Sequence, residues 1–386
     1  MQINAQDLVE VLKGSKNIIL HGAPGTGKTH LAKQIAEELG AEYEFVQFHP
    51  SYDYTDFVEG LRPVNENGQV VFKRKDGIFK EFCKNSVVYY EDTLEKTMKN
   101  CHDYFARKFS TYNFFGSYNA SGRTGFCANY NGYLWIEKEK NYYAETKDII
   151  NFMIDIYKQN SIDIKNQKIQ YDIAKTIYNH CFRKIFIIDE INRGEISKIF
   201  GELFYLIDPD KRGKEHSAKT QYQNLLEDED AFKDGFYIPD NVYIIATMND
   251  IDRSAEPIDF AFRRRFTWIN VKASDTEDII LNQLDEKLKE KAKIKMKNLN
   301  QAIIAIDGLD ENYQIGASYF LKLLNYLTDE IDEVNEYKKE FNCLWEYHLE
   351  PLLREYLSGR PSQEIENELR KLKSEYDSQE VENNNG

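Results

Sequence analysis

The sequence lacks several features that would place it in other protein classes. Its five cysteines include no Cys-x-x-Cys pair, which argues against a zinc site or a disulfide framework and favours reduced thiols in a cytoplasmic protein. No apolar run reaches the roughly 18 residues of a membrane span, and the N-terminal residues resemble no signal peptide. The net charge of -15 excludes a uniformly basic nucleic-acid-binding surface, although a local basic channel stays possible.

What the sequence does contain is an alternation of apolar runs and helical periodicity. The predicted strands lie at residues 16–20, 42–49, 184–190, 241–249 and 265–271. Such alternation is typical of an α/β fold with a parallel sheet covered on both faces. In addition, residues 67–77 predict half of a hairpin, with Asn67 and Gly68 as its turn.

The sequence GAPGTGKT follows the first strand and precedes a helix that Gly40 closes. It fits the phosphate-binding P-loop, in which glycines let backbone N–H groups surround phosphates at a helix N-terminus. Lys28 is expected to reach the β- and γ-phosphates and Thr29 to hold Mg²⁺. A chance Gly-rich turn is the alternative, and the flanking strand and helix argue against it. The predicted nucleotide-binding residues are Gly22, Ala23, Pro24, Gly25, Thr26, Gly27, Lys28, Thr29 and His30.

Polar side chains end two later strands. Asp189 and Glu190 close the run FIIDE, where Asp189 is expected to take part in Mg²⁺ coordination and Glu190 to polarise an attacking water. They could instead cap the following segment, 195–208, which is predicted as one helix. Asn249 ends the next strand, where its amide could contact the γ-phosphate and the attacking water. An Asx turn is the alternative for Asn249.

Three consecutive arginines occur in the sequence FAFRRRF, between Phe262 and Phe266. A solvated charge run is the common explanation for such a cluster. The flanking aromatic residues instead favour a packed and specific setting. An arginine supplied in trans stabilises charge at a γ-phosphate, and such an enzyme is active only as an oligomer.

The pattern also divides the chain into five parts. About a hundred residues separate the hairpin region from the strand at 184–190, far more than an ordinary connection needs. Turn residues alternate with aromatics in this insert, which predicts a small α+β module. The C-terminal part predicts one amphipathic helix or a short coiled coil before a polar tail. The parts are the core's first segment 1–83, the insert 84–182, the core's second segment 183–272, a helical subdomain 273–358, and the terminal helix and tail 359–386.

These motifs occur in the order found in AAA+ ATPases, and five blocks resemble the McrB family more closely. The blocks are residues 46–63, 73–83, 186–208, 236–254 and 258–271. That family comprises GTP-hydrolysing AAA+ subunits of the McrBC modification-dependent restriction systems. The resemblance implies an AAA+ P-loop NTPase fold with a parallel sheet, a helical lid and, in this chain, the inserted module.

The resemblance also implies roles for particular residues. Asn192 and Arg193 match the family's DEINR box near the reaction centre. Asn249 and Asp252 match its M-N-x-x-D signature, which is connected with a preference for GTP. Arg264 and Arg265 match its trans-acting arginines. The segment 51–62 and the hairpin around Asn67 are expected to face the interior of the ring or the partner.

For the assembly, the resemblance implies a hexameric ring that hydrolyses GTP and translocates on DNA. A McrC-like partner is expected to bind the ring and carry the nuclease, because no acidic-lysine nuclease box is visible in this chain. Asp252 could accept hydrogen bonds from guanine or only shape its loop, and ATP stays the alternative substrate. No membrane partner is expected.

Two departures from the family pattern leave other functions open. Members usually carry an N-terminal DNA-reading domain, whereas here the P-loop begins at residue 22; the chain could be a motor-only subunit, a shortened regulatory form, or one whose target recognition has moved elsewhere. The aromatics of the insert could stack on bases, form an ordinary small core or dock a protein. A MoxR-like or dynein-like protein remodeller is the competing function, and the DEINR and M-N-x-x-D boxes favour the restriction system.

Overall fold

A computed structural model describes residues 4–87, 183–252, 258–327 and 337–378. Its first part forms α1 (Ala5–Ser15), β1 (Asn17–Gly22), α2 (Lys28–Glu38), β2 (Glu42–Gln47), α3 (Tyr54–Phe57), β3 (Glu59–Glu66), β4 (Gln69–Asp76) and α4 (Ile78–Ser86). The last turn of α4 extends past residue 83. Residues 88–182, which include the hairpin and helices predicted for the insert, lie outside the described residues.

The second part of the core begins with β5 (Lys184–Asp189) and a 3₁₀ turn (Ile191–Arg193). It continues with α5 (Ile196–Phe200), a 3₁₀ segment (Gly201–Ile207), β6 (Val242–Asn249), α6 (Phe260–Arg263) and β7 (Thr267–Asn270). Shorter 3₁₀ turns lie at Pro209–Lys211, Lys214–His216 and Gln223–Leu225. All five predicted sheet strands are therefore present.

The sheet has the strand order β2-β5-β6-β1-β7, and every neighbouring pair is parallel. Both faces are buried, which explains why the strands are apolar throughout. On β5, Phe186 and Ile188 belong to one core cluster, whereas Ile185 and Ile187 belong to the cluster on the opposite face. Because successive side chains of a strand point to opposite faces, an uninterrupted apolar run suits this position.

The predicted hairpin is confirmed: β3 and β4 pair antiparallel around Asn67 and Gly68. Both turn residues have positive φ, 53° and 84°, as a two-residue turn that matches the strand twist requires. The single helix predicted for residues 195–208 is wrong. Helix α5 ends at Gly201, whose φ is +49°, and the chain continues as a 3₁₀ segment.

The helical subdomain contains α7 (Glu277–Leu281), α8 (Glu286–Ile304), α9 (Lys338–Leu344), α10 (Glu350–Tyr356) and α11 (Ser362–Asp377). It also has 3₁₀ segments at Glu311–Tyr313 and Ala317–Tyr326 and a π-turn at Trp345–Leu349. Helix α11 buries Leu369, Leu372 and Tyr376 in the same core as α8. The predicted terminal helix is thus an amphipathic helix of this subdomain. No described helix is long and apolar enough to cross a membrane.

Candidate nucleotide-binding site

The P-loop lies between β1 and α2, at the carboxyl edge of the central strands. Gly22, Gly25 and Gly27 all have positive φ, at 140°, 74° and 76°. A side chain would be obstructed as well as strained at Gly22, since a Cβ there would lie 2.5 Å from the carbonyl oxygen of Val271. The glycine pattern therefore reflects a backbone conformation that other residues rarely adopt, and the loop leads directly into the N-terminus of α2.

Lys28 is almost fully buried at the start of α2. Its Nζ donates hydrogen bonds to the carbonyl oxygens of Ala23 (2.7 Å) and Gly22 (3.1 Å). Burial lowers the pKa of Lys28 to about 8, while the nearby carboxylates of Glu190, Asp250 and Asp189 oppose that shift. The ammonium is thus held against the loop, close to the acids that end β5.

Thr29 and Asp189 meet across the site. The Thr29 hydroxyl donates to Asp189 Oδ1 over 2.7 Å, and the Thr247 hydroxyl donates to the same oxygen over 2.6 Å. Hydroxyl and carboxylate oxygens are the ligands that Mg²⁺ prefers, so these residues fit the predicted metal. Among the described residues, no group of three or more His, Cys, Asp or Glu side chains could hold a metal by itself. Mg²⁺ suits such a sparse set because it is usually completed by phosphates and water.

Glu190 and Asn249 form the centre of the site. Asn249 Nδ2 donates to Glu190 Oε1 over 2.6 Å, and the backbone N–H of Glu190 donates to the Thr247 hydroxyl over 3.3 Å. Glu190 has a φ of 52°, a region that non-glycine residues seldom occupy. Burial raises the pKa of Glu190, and the neighbouring guanidinium of Arg193 opposes the shift. The Glu190 carboxylate is therefore held in orientation by Asn249, the last residue of β6.

The DEINR segment joins the strand ends a second time. Asn192 Nδ2 donates to the carbonyl oxygen of Asn249 over 3.2 Å. Arg193 Nε lies 2.9 Å from Asp252 Oδ2 and 3.5 Å from Glu190 Oε2. A hydrogen bond between residues that lie 57 positions apart in the sequence therefore joins the segment that follows β5 to the end of β6.

A cavity of about 650 Å³ opens beside these groups. At its wall, His21 Nδ1 lies 2.9 Å from Asp250 Oδ2, so the end of β1 is linked to the loop after β6. Arg263 covers the ring of Trp268 at 4.3 Å. The lining includes His21, Asn192, Asp250, Asp252, Arg263 and Trp268.

Comparison with known proteins matches both parts of this architecture. A family model described as an AAA domain of the dynein-related subfamily matches residues 17–106 and 157–266. A model described as the alpha-helical lid domain of McrB matches residues 291–364. The chain belongs to the McrB family of AAA+ proteins. The AAA match leaves out residues 107–156, which lie inside the segment 84–182 assigned to the insert.

Two curated relatives are similar to this chain in sequence. The Type IV methyl-directed restriction enzyme EcoKMcrB subunit of Escherichia coli (strain K12) is 30% identical over 367 residues, which is 92% of this chain and 57% of the relative. The Type II restriction enzyme BsuMI component YdiS of Bacillus subtilis (strain 168) is 25% identical over 260 residues, 66% of this chain and 56% of the relative. The chain thus spans about half the length of the relatives it matches.

The two arginines predicted to act in trans, Arg264 and Arg265, have different surroundings. Arg264 is exposed at the end of α6, and within the described residues no ion pair of its side chain is present. Arg265 is buried: its Nε lies 3.3 Å from Asp208 Oδ2 and its guanidinium stacks on the Phe204 ring at 4.6 Å. Of these two arginines, Arg264 is exposed, whereas Arg265 is packed against partners within its own chain.

Several contacts of the lid with the P-loop were not predicted from the sequence. Gly316 N donates to the carbonyl oxygen of Pro24 (3.0 Å), Ser318 N donates to that of Gly25 (3.0 Å), and the Thr276 hydroxyl donates to that of Thr26 (2.6 Å). Thr247, which supports Asp189, was also missed. Its position two residues before Asn249 was an available signal, because residues i and i+2 of a strand share a face. His30, a predicted binding residue, is exposed on α2.

Proposed function

We propose that this chain hydrolyses a nucleoside triphosphate, with GTP preferred to ATP, as the AAA+ subunit of a McrB-type restriction system. One observation carries the proposal: Lys28, Asp189, Glu190 and Asn249 converge at the carboxyl edge of the sheet, beside the P-loop. In open α/β sheets this edge is where ligands bind.

Each residue has a distinct task in this reaction. The backbone N–H groups of the P-loop and the ammonium of Lys28 bind the phosphates. Thr29 and Asp189 would hold Mg²⁺, which when bound neutralises charge on the phosphate oxygens. Glu190 orients and polarises the attacking water, and Asn249 fixes the Glu190 carboxylate by the 2.6 Å hydrogen bond. Positioning and electrostatic stabilisation of this kind account for most of the catalysis in phosphoryl transfer.

The proposed active form is a hexameric ring in which Arg264 serves the site of the neighbouring subunit. This is supported by the exposure of Arg264 and by the family to which the chain belongs. A guanidinium delivered in trans stabilises the charge that develops on the transferred phosphoryl group. Assembly and hydrolysis are then linked, because each site lacks one cation until its neighbour is in place.

The proposed role of the ring is DNA translocation together with a McrC-like nuclease partner. Both relatives are named as parts of restriction enzymes, one a subunit and one a component. The chain carries no recognisable nuclease motif of its own, so cleavage is assigned to the partner. A test is to co-purify the chain with the product of the adjacent gene in the presence of GTP and to measure the mass of the complex.

The nucleotide preference is tested by measuring GTP and ATP hydrolysis under identical salt and Mg²⁺. A larger kcat/KM for GTP is expected, and Glu190→Gln is expected to abolish turnover of both nucleotides. A preference for ATP of about tenfold or more would overturn the proposed substrate. Hydrolysis that continues in Glu190→Gln would overturn the proposed site.

A further inference from the structure

Arg193 stands between two carboxylates at the hydrolysis end of the site. Its Nε is 2.9 Å from Asp252 Oδ2 and 3.5 Å from Glu190 Oε2. Asp252 is therefore the closer ion-pair partner of the Arg193 guanidinium, and Glu190 is the more distant one. The Glu190 and Asp252 side chains are 16% and 13% exposed, whereas Arg193 is 43% exposed, so the guanidinium lies over two largely buried acids.

The two oxygens of Glu190 therefore have different environments. Oε1 accepts the hydrogen bond of Asn249. Oε2 is buried and, within the described residues, accepts no hydrogen bond. A general base needs an acceptor oxygen that is oriented yet not already occupied by a strong donor. The arrangement leaves one such oxygen on Glu190, with the Arg193 guanidinium nearby but closer to Asp252.

The position of Asp252 is fixed by its loop as well as by Arg193. Its backbone N–H donates to the carbonyl oxygen of Asn249 over 3.4 Å, and Asn192 donates to the same carbonyl oxygen. Asp252 is thereby held beside Glu190, the residue assigned to the attacking water. In a nucleoside triphosphate the base lies at the opposite end of the molecule from the γ-phosphate. A carboxylate at the γ-phosphate end that is already ion-paired is poorly placed to read guanine.

We propose that Asp252 is a positioning residue that acts through Arg193, holding its guanidinium in an ion pair so that Arg193 does not close onto Glu190 and occupy the acceptor oxygen of the general base. The inference rests on the proposed hydrolysis. It goes beyond it by giving Asp252, the aspartate of the M-N-x-x-D signature, a role in positioning Arg193 and not in recognising guanine. When Asp252 is removed, the Arg193 guanidinium has Glu190 as its remaining carboxylate among the pairs described above, and the base loses its free oxygen.

The test is a double-mutant cycle on the full chain, assembled with its partner where turnover requires it. Asp252→Asn keeps the size of the side chain and removes its charge. It is expected to lower kcat on the order of tenfold while KM for GTP and the GTP-to-ATP ratio of kcat/KM stay within about twofold. Asp252→Glu, which restores the carboxylate, is expected to recover part of kcat. In an Arg193→Ala background, Asp252→Asn is expected to cause no further loss.

Two results would overturn the inference. One is a double variant whose fold-loss of kcat equals the product of the losses in Asp252→Asn and Arg193→Ala. The two residues would then act independently, so Asp252 would not work through Arg193. The other is a raised KM for GTP with a lost preference over ATP, because that pattern belongs to a residue that reads the base. Glu366→Gln, which removes the exposed ion pair with Arg354 on the lid, is the matched control and is expected to leave kcat unchanged.

The melting temperature of every variant distinguishes a positioning effect from general destabilisation. If kcat fell only in proportion to a fall in melting temperature, the inference would also be overturned. Failure of the proposed function is distinguishable. It would show as absent hydrolysis or an ATP preference in the unmutated chain. The inference is instead decided by whether Asp252→Asn lowers kcat in the unmutated background and not in the Arg193→Ala background, whichever nucleotide is preferred.

Discussion

Gly316 of the lid packs directly on Gly25 of the P-loop. A Cβ added at Gly316 would lie 2.1 Å from the carbonyl carbon of Gly25 and 2.2 Å from the backbone nitrogen of Thr26. Its own N–H donates to the carbonyl oxygen of Pro24. The lid and the phosphate-binding loop are thus in backbone contact, so the conformation of one depends on the other.

Gly316→Ala is expected to weaken nucleotide binding. The added methyl group meets backbone atoms, which cannot move aside as a flexible side chain can, so either the P-loop or the lid must shift. We expect at least a tenfold rise in the dissociation constant of a non-hydrolysable GTP analogue, on the order of 1.4 kcal/mol. Gly14→Ala is the matched control: a Cβ there meets nothing within 4 Å, and the residue lies inside α1. That variant should bind normally and gain about 0.5 kcal/mol of stability. Unchanged affinity in Gly316→Ala would contradict the coupling of lid and loop.

Asn249→Ala is expected to reduce kcat by on the order of a hundredfold, because Glu190 loses the hydrogen bond that orients it. Single-turnover measurements should place the loss in the chemical step. Asn367→Ala, an exposed substitution on α11, serves as the control and should not change turnover. If Asn249 were only the start of an Asx turn, its replacement would lower the melting temperature and leave kcat per folded molecule intact.

Arg265→Ala is expected to lower stability, whereas Arg264→Ala is expected to lower the rate of hydrolysis. Arg265→Ala removes a buried contact with Asp208 and Phe204 and should lower the free energy of unfolding by about 2 kcal/mol, measured by urea denaturation. Arg264→Ala should change stability by less than about 0.5 kcal/mol. It should nevertheless reduce hydrolysis on the order of a thousandfold, as the loss of a trans arginine does.

Mixing subunits checks that Arg264 acts in trans. Arg264→Ala subunits retain their own Glu190, and Glu190→Gln subunits retain Arg264. A mixture of the two inactive variants should therefore regain part of the activity, because some sites then combine an intact Glu190 with a neighbouring arginine. A mixture that stays as inactive as its components would refute the assignment.

Lys80→Met is expected to destabilise the chain by about 3 kcal/mol, because it leaves the buried carboxylate of Glu59 without its closest cation. Lys80 Nζ lies 2.7 Å from Glu59 Oε2 at the base of the hairpin, and Arg74 Nε lies 2.9 Å from the same oxygen. Urea denaturation measures the loss. The double variant Lys80→Met with Glu59→Gln should recover part of it, and a double variant no more stable than Lys80→Met would argue against the ion pair as the cause.

The same pair predicts a dependence of stability on pH. Burial disfavours the charged form of Glu59, but hydrogen bonds from Lys80, the backbone N–H of Tyr222 and Thr220 outweigh it, and the pKa of Glu59 lies below its ordinary value. A carboxyl group whose pKa is lowered by folding contributes stability above its unfolded pKa of about 4.3 and loses that contribution as the pH falls further. Glu59→Gln should therefore flatten the acid side of the stability curve below about pH 4.

The order and type of the core elements were predictable because their signals are local. A strand buried on both faces is apolar along its whole length, as in β5 and β6, and the P-loop glycines are required by the backbone itself. The acids after β5 and the amide after β6 could be placed together for the same reason, since the ends of neighbouring parallel strands share an edge. The sequence-based prediction made helix α5 too long, because the end of this helix depends on the left-handed conformation of Gly201, which packs against Tyr54.

By itself, then, the sequence determined the sheet, the phosphate loop and the residue types at the reaction centre. The tertiary structure alone decided what each polar side chain contacts. Arg264 and Arg265 are equivalent in the sequence, yet one is exposed and the other is buried against Asp208. Likewise, the pairing of Asp252 with Arg193 arises only when β5 and β6 lie side by side. Contacts of this kind depend on residues distant in the chain, and no local pattern encodes their distance or their burial.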